Sequence, residues 1–173
     1  MIDAGHGGYD QGTSGNGLIE KDVTLDISKR IKKMLESDGY TVIMTRSKDE
    51  YVSLKDRTDL ANKAAADLFI SIHVNAGGGE GIETWWYQKG YKPKESETLA
   101  KIIQEEVIKE TKANNRGTKN GNLHVNRESK MPSSLVEVGF IDNKTDASNL
   151  KKNSYKEKIS KGVVRGINKY LSL

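Results

Sequence analysis

Three histidines (His6, His73 and His124) and the absence of cysteine bound the metal and nucleophile chemistry open to this 173-residue chain. Two of the three recur in one local grammar. Ile2-Asp3-Ala4 runs into Gly5-His6-Gly7-Gly8, and the apolar run Leu68 to Val74 contains His73 and is followed by Asn75-Ala76-Gly77-Gly78-Gly79. Each imidazole is therefore expected at the open end of a strand, where neighbouring glycines let the backbone approach a ligand closely. Two such edges can bring two neutral imidazoles to one point, as a zinc site requires. Lack of cysteine excludes disulfides and thiol nucleophiles, so any further metal ligand is a carboxylate or the third histidine.

A catalytic zinc takes three protein ligands and keeps one position for water. Glu20 is the better placed third ligand. It follows the glycine-rich stretch Gly12 to Gly17 and begins a helix, so loop closure can return its carboxylate to the mouth of the sheet. Its spacing fits equally an acid that only complements the helix dipole. His124, in Leu123-His124-Val125-Asn126, reads more readily as a surface or substrate-groove residue on a short strand than as a ligand. Hydrolysis also needs a base for the water. Ser134-Leu135-Val136-Glu137-Val138-Gly139-Phe140 sets one carboxylate in an otherwise apolar run, which is costly unless it faces a metal, a cation or water. The alternative is a glutamate on the exposed face of an edge strand.

Alternating strands and helices must position these residues. Helices are expected from Glu20 to Asp38, ended by Gly39, from a Ser53 cap to Ala66, from Glu95 to Lys112 and from Tyr155 to Leu171. Strands are expected at the N-terminus, at 40–45, 68–74, 82–88, 134–140 and briefly at 123–126, with 113–122 a polar loop. Helices alternating with strands imply an α/β fold with helices on both faces of the sheet and ligands at the carboxyl ends of the strands. Residues 1–173 read as a single domain. With 35% hydrophobic and 30% charged residues, no run approaches the ~20 apolar residues of a membrane span. The net charge of +4 fits a lysine-rich solvated surface or weak attraction to a polyanion such as an anionic wall polymer. No nucleic-acid-binding motif is present. Met1 leads straight into the first strand, with no signal peptide ahead of it.

Asp3-Ala4-Gly5-His6-Gly7-Gly8, Gly17-Leu18-Ile19-Glu20-Lys21-Asp22, Arg57 to Asn62, Ser71-Ile72-His73-Val74-Asn75-Ala76 and the segment Met131 to Asn143 occur in this order. Together they span almost the whole chain. They resemble the type-3 family of zinc-dependent N-acetylmuramoyl-L-alanine amidases, the lytic cell-wall amidases of spore-forming Gram-positive bacteria and their phages. Family members often have Asp-Pro-Gly-His where this chain has Asp3-Ala4-Gly5-His6. The resemblance implies zinc held by His6, Glu20 and His73, Glu137 as acid/base, and a twisted, mostly parallel (mixed) sheet of about six strands. It also implies a peptidoglycan hydrolase that acts outside the cell, secreted or released by lysis, on the amide between the lactyl group of N-acetylmuramic acid and L-alanine. A monomer is expected, and a wall-binding domain can lie outside this chain. Asn75, His124 and Asn126 are candidates for substrate contact, and one of Trp85 and Trp86 for stacking on sugar. Rival readings are a non-catalytic wall-binding module, disfavoured by the complete polar set, and a zinc peptidase cutting within the stem peptide, for which no His-Glu-x-x-His helix is found.

Overall fold

Hydrophobic periodicity sets the order of elements, seen in a computed structural model that describes residues 1–173. In chain order they are β1 (Ile2–Ala4), β2 (Ser14–Gly15), β3 (Leu18–Ile19), α1 (Glu20–Ser37), α2 (Leu54–Lys63), β4 (Phe69–Asn75) and β5 (Ile82–Trp86). There follow α3 (Pro93–Thr111), β6 (Asn115–Asn120), α4 (His124–Glu128), β7 (Ser133–Phe140), α5 (Lys144–Leu150) and α6 (Asn153–Leu171). Five strands form one sheet in the order β1-β4-β7-β5-β6, and β2 and β3 make a small hairpin. The β1–β4, β4–β7 and β5–β6 pairs are parallel, whereas β5 runs antiparallel to β7.

Side chains alternate across a strand, so each strand is divided between two faces. Ile70, Ile72, Val74, Val136, Val138 and Ile82 belong to a core of 23 buried residues with α1, α3 and α6. The opposite face carries Phe69 and Leu135, which join Ala61 of α2, Val125 of α4 and Met131 in a cluster of only 5 buried residues, with the partly buried Trp85 packed against it. His73, Glu137 and Glu83 share this second face with that small cluster. Beside this thinner layer His73 and Asn75 of β4 and Glu137 of β7 remain partly exposed, whereas Phe140 at the end of β7 is buried.

Local chemistry sets the helix boundaries. Ser53 caps α2 as expected, accepting the Asp56 N–H at 3.1 Å while its hydroxyl donates to Asp56 Oδ2 at 2.6 Å, a side-chain pair in place of the reciprocal bond of a capping box. Gly39, with φ 90°, ends α1 as expected. In α6, a Cβ on Gly162 would lie 2.5 Å from Val107 Cα and one on Gly166 2.8 Å from Ile103 Cα, so these glycines let α6 approach α3 at backbone distance.

Four expectations need correction. The strand expected at 40–45 is a single bridge from Met44 to Ile2, because β1 is only three residues long and offers two backbone bonds, Ile2 N–H to Ile43 O and Thr45 N–H to Ile2 O. The expected polar loop at 113–122 contains β6, an edge strand that needs no apolar alternation because it lies at the end of the sheet. The short strand expected at 123–126 is the helical turn α4, closed by the Arg127 N–H to Leu123 O at 2.9 Å. Helix α5, absent from the expected layout, starts at an Asn143 cap that accepts the Thr145 and Asp146 N–H groups.

Candidate metal centre and acid/base

The loop after β1 presents His6 in a left-handed backbone conformation, φ 59°, which is uncommon outside glycine and must be held by its surroundings. Two buried arginines hold it. Arg57 donates to Ala4 O at 2.6 Å and His6 O at 2.8 Å, and Arg46 donates to Ala4 O at 3.0 Å and Gly5 O at 2.9 Å. The imidazole is oriented from its far side by Asp10, whose Oδ2 lies 2.9 Å from Nδ1, leaving Nε2 to face inward.

Glu20, the first residue of α1, is 2% exposed, and its Oε1 lies 3.3 Å from His6 Nε2 and 3.0 Å from His73 Nδ1. It also accepts the Val74 N–H at 2.9 Å and the Thr13 N–H at 2.8 Å. Burial opposes its ionisation, but the hydrogen bonds from His6, His73 and Thr13 overcome it and hold the carboxyl far below the usual range. Burial also works against a His6 cation, yet Glu20 and Asp10 raise its pKa above the ordinary value. The three ligand atoms lie within 4.8 Å of one another. Glycine makes this packing possible: a Cβ on Gly5 would meet the His73 ring at 2.4 Å, and one on Gly12 would meet Glu20 Oε2 at 2.5 Å. One buried carboxylate between two imidazoles, in a cradle of glycines, is a donor set that fits a divalent cation with nitrogen and oxygen preferences.

Glu137 is on the central strand, β7, not at an edge. It is in register with His73 of β4 on one side and with Glu83 of β5 on the other. It is half-buried, and its Oε2 is buried with no hydrogen-bond partner. Burial pushes its carboxyl up to about 7, against the pull of His73 and His6 and with the push of Glu20 and Glu83. A group titrating near neutrality beside this donor set can both take and return a proton.

The structure brings His6, Glu20, His73 and Glu137 together. Asn75 stands at the rim but is engaged, donating to Glu83 Oε1 at 2.9 Å. Asn126 is 2% exposed and donates to Trp85 O at 3.1 Å, so its amide holds two elements together. His124 opens onto a groove with Lys55, Asp59, Asn62 and Lys130, away from the small cavity of about 60 Å³ that His6 and His73 line with Asp10, Tyr51 and Arg57. Trp85 is the inner tryptophan, packed on the smaller cluster with its Nε1–H on Glu83 Oε1 at 3.1 Å. The sequence reading passed over Asp10, Arg46, Glu83 and Arg116. Glu83 carried a usable signal, since Ile82-Glu83-Thr84-Trp85 repeats the pattern of a carboxylate within a buried strand.

Similarity to known proteins agrees with this geometry. The chain is 44% identical over 175 residues to the sporulation-specific N-acetylmuramoyl-L-alanine amidase of Bacillus subtilis, covering 100% of this chain and 68% of that protein. It is 40% identical over 177 residues to the endolysin of Bacillus phage SPP1, covering 99% of this chain and 65% of the endolysin. The crystal structure of N-acetylmuramoyl-L-alanine amidase from Clostridium difficile 630 superposes with a TM-score of 0.94 at 36% identity, covering 99% and 95% of the two chains. A family model described as N-acetylmuramoyl-L-alanine amidase matches residues 1–169, and by that match the chain belongs to the N-acetylmuramoyl-L-alanine amidase family of peptidoglycan hydrolases.

Proposed function

We propose that residues 1–173 form an amidase catalytic domain that binds zinc through His6, Glu20 and His73 and uses Glu137 as the single acid/base. The observation that carries this reading is the register of Glu137 beside His73, with an unpartnered buried oxygen next to three converging ligand atoms. Zinc, when bound, supplies Lewis acidity toward the lactyl carbonyl and lowers the pKa of water toward ~7. Glu137 accepts a proton from the attacking water and delivers it to the L-alanine nitrogen as the carbon–nitrogen bond breaks, so one carboxyl serves both transfers. Asp10 fixes the His6 ring, and Arg46 and Arg57 fix the loop that carries it. The domain acts as a monomer on wall peptidoglycan outside the cell, and its net charge of +4 favours approach to anionic wall polymers.

Digestion of purified wall tests the proposal. New L-alanine amino termini without new reducing ends are expected, and a chelator should stop their release. Amino termini of another stem residue would show a peptidase instead.

A further inference from the structure

Next to Glu137 on the same face stands a carboxylate that the proton transfer does not use. Glu83 is 3% exposed and is held by Asn75 Nδ2 at 2.9 Å and Trp85 Nε1 at 3.1 Å. Its other oxygen accepts from Arg116 Nε at 2.8 Å. A buried carboxylate with this many supports fixes whatever it pairs with. Arg116 lies on β6 where the register against β5 slips between Ile82 and Thr84, and Gly117 takes φ 73° there with its N–H on Asn115 Oδ1 at 3.0 Å. Such bulges re-aim a side chain. The guanidinium is also seated over the Phe140 ring, 4.7 Å from its centroid.

What remains is the fork. Neither Nη group of Arg116 has a hydrogen-bond partner within the protein, and the side chain is 34% exposed. The other arginines near this end of the sheet, Arg46 and Arg57, are buried with their Nη groups on backbone oxygens and Asp3. Arg116 is thus a rigid, half-open cation whose planar donors suit a carboxylate.

We propose that Arg116, positioned by Glu83 and Phe140, reads a free carboxylate on the stem peptide, namely the α-carboxylate of the D-glutamyl residue that follows L-alanine. This rests on the amidase reading of the site. The lengths agree. From β7, which carries Glu137, to β6 is two strand spacings, ~10 Å. The D-glutamyl residue lies two residues beyond the scissile carbonyl, ~7 Å of extended chain. The Arg116 side chain leans back over β5 to reach Glu83, which closes the remaining gap. In a peptidoglycan where that carboxylate is amidated, the fork meets a neutral group and loses the charge-assisted bond.

The test uses two soluble muramyl tetrapeptides that differ only in a free or amidated D-glutamyl α-carboxyl group. The wild-type enzyme should show kcat/KM about tenfold higher on the acid, mainly through KM, as expected for one charged hydrogen-bonded contact. In the double variant Glu83→Gln/Arg116→Gln, which leaves neither charge buried alone, the ratio should fall to near 1. Arg116→Lys keeps the ion pair but loses the fork, so its ratio should be intermediate; it serves as the test should the double variant fail to fold. Equal wild-type rates on the two substrates would overturn the proposal, as would a tenfold ratio that survives in either variant. If the wild-type enzyme releases L-alanine termini from neither substrate but does so from intact wall, the carboxylate reading fails. No release from any substrate points instead to failure of the amidase reading.

Discussion

At the scale of residues, each site member has a role that substitution separates. His6→Ala and His73→Ala should abolish both zinc binding, measured by elemental analysis, and wall lysis, because each removes one of the three proposed ligands. His124→Ala should keep its metal, since that residue faces a different groove. Zinc lost from His124→Ala but kept by Glu20→Ala would reverse the ligand assignment. Glu137→Gln should keep volume and fold while removing the proposed proton shuttle. A loss of kcat of ~10³ is expected, within the usual 10²–10⁴ contribution of such groups. Zinc content and melting temperature should hold, and a variant lysing wall within about tenfold of wild type would refute the role. His6, His73 and Glu137 stood out in the sequence as candidates, because two histidines share one strand-and-glycine pattern and a carboxylate within an apolar strand is costly to bury unpaired. Glu20 did not, since an acid at a helix start fits the helix dipole equally well, and only the family resemblance singled it out. Asp10 was not legible, since an acid four residues beyond a histidine is commonplace and only the turn closed by Gly7 and Asp10 brings it to Nδ1.

Elements were legible where periodicity is long. The helices α1, α3 and α6 each place an apolar stripe on the larger core, and their expected bounds agree with the structure to within about two residues. Edges were less legible, because β6 is polar throughout and α4 is one turn, too short for any period to register. The α3–α6 contact gives a prediction that sets two effects against each other. Gly162→Ala gains ~1 kcal/mol of helix propensity. The new Cβ, however, would sit 2.5 Å from Val107 Cα, and backbone cannot rotate aside as a side chain can. Overpacking of this kind costs about 1–3 kcal/mol. The clash should win, lowering the melting temperature by a few degrees while leaving zinc affinity unchanged, since both elements lie on the far side of the sheet. A stabilised Gly162→Ala protein would show that α6 can slide away from α3.

At the scale of the molecule, the thinly covered face is tied together by one buried ion pair. Asp3 of β1 receives Arg57 Nη1 of α2 at 2.8 Å, Ser71 Oγ of β4 at 2.6 Å and Thr45 Oγ1 at 2.6 Å, while Arg57 also holds the His6 carbonyl. Burial by itself would raise the Asp3 pKa, but Arg57 and the two hydroxyls overcome this and lower it. A carboxyl with its folded pKa depressed binds fewer protons than in the unfolded chain. Its contribution to stability is therefore fully present above the ordinary value of ~4 and is lost as pH falls through the lower folded value. Asp3→Asn leaves Arg57 buried without its counter-ion and should cost about 3–5 kcal/mol at neutral pH. The sign of the linkage then fixes the shape of the comparison: the gap between wild type and Asp3→Asn should be constant from pH 7 to about 5 and narrow below the ordinary value near 4 as the wild-type carboxyl is protonated. Denaturant unfolding of the metal-free proteins at a series of pH values measures it, and Glu20, which titrates in both, cancels in the difference. A gap that stays constant down to pH 2 would mean that the Asp3–Arg57 pair does not supply the acid sensitivity, and that the loop bearing His6 is held by the carbonyl contacts of Arg46 and Arg57 alone.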